Sequence, residues 1–190
     1  MGIDVSTHRT SREYTTRALV GRVLWAAVGP LFFLSPRLLY GWRNRLLRIF
    51  GARIGRGVRI YPTVRIFVPW GLEIEDEATI GHRVIIYNVG PLRIGKRTMV
   101  SQNSHLCAGS HDYLSPGLPL LKTPIEIGAD VWICADAFVG PGVMVGNGAV
   151  VGARSAVFKD VAEQAVVGGN PAKFIKSRNA VVQIDDRAAA

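Results

Sequence analysis

The stretch that decides the fold is Ile127–Val157, which reads IGADVWICADAFVGPGVMVGNGAVVGARSAV. An aliphatic residue falls at every sixth position of this stretch, and the same period runs through much of the chain before it. The aliphatic positions are Ile54, Ile60, Ile66, Ile74, Ile80, Ile86, Ile94, Val100, Leu106, Ile127, Ile133, Val139, Val145, Val151 and Val157. Neither the helical period of about 3.6 residues nor the alternation of a β-strand explains a strict period of six.

A six-residue period predicts an all-β fold, the parallel β-helix. Each hexapeptide supplies a short strand and a corner, and three of them close one triangular coil. The aliphatic side chain points inward and stacks on its counterpart in the next coil, about 4.8 Å away. A small or branched residue four positions later, such as Ala78 or Ala137, suits the narrow interior. Glycine after the aliphatic position, as in Ile94-Gly95, eases the corner.

The spacing between repeats locates an insertion. Ile54 to Ile74 and Ile74 to Ile94 are each 20 residues, but Ile94 to Ile127 is 33 residues. Since one coil is 18 residues, about 15 residues are predicted to project from a corner, at about 108–124. A long ordered loop on a regular scaffold often carries function, so we expect the active site at this interruption.

The amino-acid composition limits which binding partners and which cellular compartment are expected for the protein. Residues 1–65 hold 12 Lys and Arg against 2 Asp and Glu, whereas residues 66–190 hold 11 against 12. This charge suits a polyphosphate ligand or an anionic membrane surface. Nucleic acid is not expected as a partner, because no nucleic-acid-binding module accompanies the charge. Cys107 and Cys134 fit neither a metal motif nor a disulfide framework, so a cytoplasmic location is predicted.

Three regions are predicted along the chain. Residues 1–50 form a basic helical segment, residues 51–178 form the β-helix domain, and residues 179–190 form a C-terminal tail. Within the first region, residues 18–34 are apolar but are near the lower length limit for a membrane span, and they include a proline. The two predicted helices either pack on the protein body or lie in the interface at the inner face of the membrane.

The second helix is predicted to begin at Ser35, with Pro36 in its first turn. Helical spacing places a set of apolar residues on one face and three arginines nearer the other. The apolar set is Leu38, Leu39, Trp42, Leu46, Leu47 and Phe50, and the arginines are Arg43, Arg45 and Arg48. This pattern predicts an apolar face that either packs on the protein body or another subunit, or lies in the membrane interface with the arginines.

The chain resembles the hexapeptide acyltransferase family from about Ser35 to Arg178. The resemblance rests on the motifs WRNRLLRIFGARIG, IYNVGPLRIG, CAGSHDYLSP, IEIGADVWI, VGPGVMVGNGAVVGARSAVFKD and VVGGNPAKFIK. These motifs together are most similar to the colanic acid biosynthesis (WcaF-like) branch, which is related to galactoside, maltose and nodulation acetyltransferases. The resemblance implies a left-handed parallel β-helix of about five coils and a homotrimer. It also implies transfer of acetyl from acetyl-CoA to a hydroxyl of a sugar or glycan, with no metal.

The catalytic base that the resemblance implies is His111, in the sequence Gly109-Ser110-His111 where the loop leaves the coil. A neutral histidine can take the proton of the attacking hydroxyl near pH 7, which typically contributes about 10²–10⁴ in rate. Direct transfer needs no serine or cysteine nucleophile. Asn88 and His105 are the candidate acceptor-binding residues. Asn88 resembles the position at which sugar-modifying relatives place a polar acceptor-binding residue, and His105 is expected to point outward toward the same groove.

For acetyl-CoA the resemblance implies a track along one coil edge. The implied residues are Trp132, Ala135, Ala153, Lys159, Asn170, Lys173 and Lys176. The peptide N–H groups of the two alanines would bond the thioester and the pantetheine, and the tryptophan would wall the groove. The lysines would approach the CoA phosphates as mobile point charges, and the asparagine lies in the closing turn.

Two other functions are possible for a β-helix with this composition. His82, His105 and His111 could hold zinc, as in a γ-class carbonic anhydrase, if they converged with a fourth position open. Their spacings of 23 and 6 residues do not match that family well. A non-catalytic assembly subunit is the second alternative, and such a protein would not bind acetyl-CoA.

Overall fold

The computed structural model of the protein describes residues 13–178. Two helices come first, α1 at Thr16–Phe33 and α2 at Tyr40–Ile49, and a short 3-10 turn follows later at Pro69–Gly71. The predicted tail at residues 179–190 lies outside the described residues. The strands are β1 Arg53–Ile54, β2 Arg59–Ile60, β3 Arg65–Ile66, β4 Leu72–Ile74, β5 Thr79–Ile80, β6 Ile85–Tyr87, β7 Leu92–Ile94, β8 Met99–Val100, β9 His105–Cys107, β10 Ser110–His111, β11 Leu120–Leu121, β12 Ile125–Ile127, β13 Trp132–Ile133, β14 Phe138–Val139, β15 Met144–Val145, β16 Val150–Val151, β17 Ala156–Val157, β18 Ala165–Gly168 and β19 Lys173–Ser177.

Three parallel sheets form the faces of a triangular solenoid. Face A has the strand order β1-β4-β7-β12-β15, and face C has the order β3-β6-β9-β14-β17. Face B has the order β2-β5-β8-β13-β16-β18, to which β19 adds in antiparallel orientation. Successive strands of each coil lie on different faces, and each pairs with the equivalent strand of the next coil. The arrangement confirms the predicted solenoid and is consistent with a left-handed β-helix.

The aliphatic repeat positions form the core. Down face B, Ile60, Ile80, Val100, Ile133 and Val151 pair in register, and each is at most 1% exposed. Burying each such side chain contributes about 1.5–3 kcal/mol relative to leaving it exposed. A one-residue slip would turn every one of these side chains outward, so their burial fixes the register of the stack.

The coil corners are tight, and their sequence reflects this. A Cβ atom on Gly95 would lie 2.5 Å from the carbonyl carbon of Gly128 in the next coil, so a side chain does not fit there. Interior hydroxyl groups near the corners are satisfied by neighbouring coils. Thr98 Oγ1 donates to the Gly128 carbonyl at 2.7 Å, and Ser104 Oγ donates to the Cys134 carbonyl at 2.9 Å. These two buried hydroxyl groups therefore join adjacent coils and are themselves satisfied.

The corner between faces B and C forms a continuous ladder along the solenoid. Its residues with positive φ are Arg83, Asn103, Asp136 and Arg154. Backbone hydrogen bonds join them to the coil above: the Asn103 N–H donates to the His82 carbonyl at 2.9 Å, and the Arg154 N–H donates to the Ala135 carbonyl at 2.9 Å. Equivalent residues of successive coils therefore lie one above another along this edge.

The insertion at about 108–124 projects from the solenoid, as the spacing predicts. It contains the antiparallel pair β10 and β11, in which His111 lies opposite Leu120. The solenoid then resumes in register, because Ile125 and Ile127 of β12 pair with Leu92 and Ile94 of β7. The chain leaves face C after β9 and returns on face A, so the insertion occupies the corner between these two faces.

The N-terminal helices pack on the first coils, and only part of the predicted apolar face of the second helix is buried. Helix α2 begins at Tyr40 rather than Ser35, and it buries Arg43 and Asn44 along with Leu46 and Leu47. The residues Leu38, Leu39 and Trp42 are exposed instead. The buried guanidinium is stabilised by oxygen acceptors, since it donates to the carbonyls of Ile60, Pro36 and Arg37 and to the Ser35 hydroxyl.

Candidate active site

His111 lies on an exposed hairpin with its ring held in one orientation. Its Nδ1 is 2.7 Å from the carbonyl oxygen of Leu118. A carbonyl oxygen only accepts hydrogen bonds, so Nδ1 carries the proton and the lone pair of the neutral ring is on Nε2. Leu118 has a positive φ of 45°, which turns its carbonyl back toward the ring. The hairpin therefore fixes the orientation of the ring and the nitrogen that carries its proton.

Asp112 supports this hairpin. Its carboxylate accepts hydrogen bonds from the Leu114 N–H at 3.0 Å and from the Ser115 hydroxyl at 2.8 Å. These bonds lower the pKa of the Asp112 carboxyl, the bond from Ser115 being the larger cause. The carboxylate thus holds the turn that precedes Leu118, and the orienting contact to His111 comes from a backbone carbonyl.

His105 lies on face C within a ladder of aromatic rings. The ladder, listed from the first coil to the last, comprises Phe67, Tyr87, His105, Phe138 and Phe158. The His105 ring is edge-to-face with the neighbouring rings, at centroid distances of 6.5 Å to Tyr87 and 5.4 Å to Phe138. Burial lowers the pKa of His105, which favours the neutral ring. Its buried Nε2 has no hydrogen-bond partner within residues 13–178.

Asn88 is placed differently from the acceptor-binding prediction. It is fully buried, with its Oδ1 accepting from the Val68 N–H at 3.0 Å and its Nδ2 donating to the Val68 carbonyl at 2.5 Å. Both ends of the amide are therefore engaged in joining two coils. This placement does not favour a contact with an acceptor, and we do not carry Asn88 into the proposed acceptor site.

The residues predicted for the thioester end of the cofactor lie close together on the solenoid. Ala135 and Ala153 occupy equivalent positions on the corner between faces B and C, one coil apart. Trp132 lies on the adjoining outer surface of face B, where it is 44% exposed and its Nε1 donates to the Ser101 hydroxyl at 3.0 Å. The corner and the indole together present an edge along which an extended molecule can lie.

The predicted phosphate contacts lie at the C-terminal end of the solenoid. Lys159 follows β17, and both Lys173 and Lys176 lie on β19, which folds back antiparallel to β18. All three lysines are exposed and form no ion pair with a described residue. Asn170 lies in the turn between β18 and β19, where its bond to Pro171 is cis. This end of the solenoid therefore offers cations to an anionic ligand.

The three histidines considered for zinc lie on different parts of the chain. His82 is on the corner between faces B and C, where its Nδ1 is 2.9 Å from the Thr63 hydroxyl, and His105 is within the aromatic ladder. His111 is on the hairpin at another corner. In the part of the chain that the structure describes, no three His, Cys, Asp or Glu side chains are grouped to hold a metal ion.

Two features of the site were not predicted from the sequence. The role of Leu118 carries no signal, because a leucine with positive φ in a loop is not readable from residue type. The aromatic ladder does have a signal in the sequence. Each of its rings belongs to a residue directly next in sequence to an inward repeat position, as Phe67 follows Ile66 and Phe138 precedes Val139. Residues beside an inward position point outward, so the repeat could have revealed the ladder.

Comparisons with known proteins agree with this fold and these motifs. The bacterial transferase hexapeptide family (six repeats) matches residues 124–159. A maltose O-acetyltransferase from Clostridium difficile 630 superposes with a TM-score of 0.79 at 22% identity, covering 92% of this chain and 97% of that one. The hexapeptide-repeat acetyltransferase VCA0836 from Vibrio cholerae O1 biovar eltor, solved with acetyl-CoA, gives a TM-score of 0.78 at 24% identity, covering 87% and 91%.

A sequence relative covers most of the chain. The Escherichia coli (strain K12) protein that carries the name colanic acid biosynthesis acetyltransferase WcaF is 46% identical over 161 residues, which are 85% of this chain and 88% of that protein. The identity extends well beyond the segment that the six-repeat family model matches, residues 124–159. The chain therefore belongs to the hexapeptide-repeat acyltransferase family, in which it is a homologue of the colanic acid biosynthesis acetyltransferase.

Proposed function

We propose that the protein is an O-acetyltransferase that moves acetyl from acetyl-CoA to a hydroxyl of a sugar or glycan intermediate. The observation that carries the proposal is the hydrogen bond between His111 Nδ1 and the Leu118 carbonyl, which leaves Nε2 as the basic atom of the neutral ring. The name of the relative that is 46% identical supports the acetyl group and a polysaccharide acceptor.

In this mechanism His111 Nε2 takes the proton of the acceptor hydroxyl while the hydroxyl oxygen attacks the thioester carbonyl. A C–O bond forms and the C–S bond then breaks, and the imidazolium returns the proton to the sulfur of CoA. His111 ends the cycle neutral, and no acetyl group is bound to the protein at any stage. Base catalysis of this kind contributes about 10²–10⁴ in rate, which is roughly 3–5 kcal/mol of barrier.

The acetyl-CoA track runs along the corner between faces B and C. The peptide edge at Ala135 and Ala153 holds the thioester and the pantetheine, and Trp132 walls the same edge. The equivalent positions of the two alanines in successive coils support this path, because a continuous edge suits an extended chain. The lysines at the C-terminal end neutralise the phosphates, and Asn170 lies in the turn beside them.

The acceptor lies against face C near His105. The half-buried ring of His105, set in the aromatic ladder, supports this position, because sugars bind well to aromatic surfaces. We infer that the ring, kept neutral by its lowered pKa, contacts the acceptor without accepting its proton.

The active assembly is a homotrimer with the site between subunits. His111 stands on an exposed hairpin, so a second surface is needed to exclude water from the reacting atoms. The reaction takes place in the cytoplasm. Cys107 and Cys134 are both free thiols, which suits a reducing compartment.

Replacing His111 tests the mechanism. His111→Ala should lower acetyl transfer from radiolabelled acetyl-CoA by about 10²–10⁴ while the affinity for CoA, measured by calorimetry, is unchanged. His82→Ala is the matched control, since His82 is also exposed and also uses Nδ1 in a hydrogen bond, and it should keep activity.

The acceptor screen for this test covers free sugars, nucleotide sugars and lipid-linked oligosaccharides. Turnover near the wild-type value in His111→Ala would contradict the role of His111. Absence of CoA binding in the wild-type protein would instead favour an assembly subunit, and stoichiometric zinc would favour the carbonic anhydrase alternative.

A further inference from the structure

The outer side of the N-terminal helices has no polar side chain over a long stretch. Between residues 19 and 34, the exposed positions are Leu19, Val20, Val23, Leu24, Ala26, Ala27, Pro30, Leu31, Phe33 and Leu34. The exposed apolar surface continues past the end of α1 through Leu38, which is 82% exposed, and through Leu39 and Trp42. We call this surface, residues 19–42, the helical apolar face.

A surface helix of a water-soluble domain normally carries polar residues on its outer side. Helix α1 does not, although only Trp25, Gly29 and Phe32 of its residues are buried. Contiguous exposed apolar surfaces of this kind mark a contact with a membrane or with another protein. The helix is also long and apolar enough, by length and composition, to cross a membrane.

The packing of α1 indicates that it lies along the solenoid rather than projecting from it. The Trp25 Nε1 donates to the Ile66 carbonyl at 2.8 Å, and the indole packs edge-to-face with Phe32 and Phe50 at centroid distances of 5.9 and 5.2 Å. A helix fastened in this way presents its opposite side outward. The helical apolar face can therefore enter the surface of a bilayer while the solenoid stays in water.

The positive charge around the helical apolar face favours an anionic partner. Residues 14–72 contain ten arginines and no Asp, Glu or Lys. Arg17 in the first turn of α1 and Arg45 on α2 are exposed and form no ion pair with a described residue. Arginines at the edge of an apolar face suit anionic lipid phosphates. A second copy meeting through the same face would bring arginines together without carboxylates between them, so self-association through it is disfavoured.

A cavity extends the apolar surface inward. It has a volume of about 670 Å³ and lies between α1 and the first coils, with Val20, Leu24, Phe50 and Trp70 in its lining and Arg17 among the residues around it. Its lining offers apolar contacts beside a cation, which is the distribution that a lipid chain and its headgroup require.

We propose that the helical apolar face docks the protein on an anionic phospholipid membrane, with α1 lying in the plane of the interface. Leu31, Leu34 and Leu38 enter the boundary of the acyl chains, and Arg17 and Arg45 contact lipid phosphates. The inference concerns location, and it does not depend on acetyl transfer.

Cosedimentation of the full chain with lipid vesicles tests the docking. We expect binding to vesicles of phosphatidylcholine mixed with phosphatidylglycerol, and weaker binding to phosphatidylcholine alone. Val23→Glu combined with Leu31→Glu should lower the partition coefficient at least about tenfold, because both side chains are more than half exposed and would carry charge into the interface. Val23→Ile combined with Leu31→Met is the matched control, which should bind like the wild type.

Arg45→Gln tests the electrostatic part separately. It should weaken binding to the anionic vesicles about fivefold and leave binding to phosphatidylcholine unchanged. Since Arg45 is exposed, this variant should fold even where the double variant does not. Far-ultraviolet circular dichroism and thermal unfolding serve as the fold check for every variant.

Two results would overturn the proposal. One is a wild-type protein that fails to sediment with either kind of vesicle. The other is a double glutamate variant that changes the mass of the assembly in analytical ultracentrifugation while its vesicle binding matches the wild type, because this would identify the face as a subunit contact.

Discussion

The solenoid and the N-terminal helices follow opposite rules of burial. In the solenoid, each aliphatic repeat position is inside, as Ile80 and Ile133 illustrate at 0% exposure. In the helical segment, Arg43 is fully buried while Leu38 is 82% exposed. The repeats of the solenoid bury one another, whereas the burial of each helix residue depends on its contacts with the surface of the first coils. Hydrophobicity therefore predicts burial throughout the first region and only in part of the second, where Leu46 and Leu47 are buried but Leu38 is not.

The largest stability effect should come from the interior of the solenoid. Ile80→Ala should lower the free energy of unfolding by about 2–5 kcal/mol, because the side chain is fully buried between Ile60 and Val100 and its loss leaves a cavity. Leu38→Ala is the matched control and should change stability by less than about 0.5 kcal/mol. Urea unfolding measures both, and equal effects would remove the contrast between the two regions.

A second comparison concerns two arginines of α2. Arg43→Ala should lower the free energy of unfolding by about 2–3 kcal/mol, because the carbonyl oxygens of Ile60, Pro36 and Arg37 lose a charged donor. Arg45→Ala, at an exposed position two residues along the same helix, should have an effect below about 0.5 kcal/mol. Thermal unfolding followed by circular dichroism shows which variant loses more stability. If Arg43→Ala is as stable as the wild type, the buried guanidinium is not needed to hold the helix on the first coils.

The smallest effect should appear in the pH dependence of stability. Burial lowers the pKa of His105 from its usual value of about 6.5, so the unfolded chain takes up a proton at a pH where the folded protein does not. This contribution to stability is complete above about pH 6.5 and decreases as the pH falls toward the folded pKa. His105→Phe should flatten the decrease between about pH 7 and pH 5.5 in urea unfolding.

His82→Phe is the control for this measurement, because His82 is exposed and on a corner outside the aromatic ladder. It should leave the pH dependence as in the wild type. A slope that flattens equally in both variants would mean that burial in the ladder is not the cause.

The sequence likewise predicted some features of the candidate active site and not others. The motif around Gly109 and the break in the repeat locate His111, and the chain does place it on a hairpin at a coil corner. The bond from its Nδ1 to Leu118 depends on the backbone path of the hairpin, which residue types do not specify. Asn88 resembles an acceptor-binding residue by position, yet its amide joins Val68 to the next coil, because an inward position leaves it no path to the surface.

The sequence by itself determined the solenoid, the coil at which the insertion leaves it and the family to which the chain belongs. It could do so because each repeat buries its own aliphatic residue against the same residue of the next coil, so a local pattern is also the long-range pattern. Only the tertiary structure decided which face of α2 is buried and which atom of His111 is basic. Both depend on carbonyl groups of distant or turn residues, and a backbone carbonyl has no signature in the sequence.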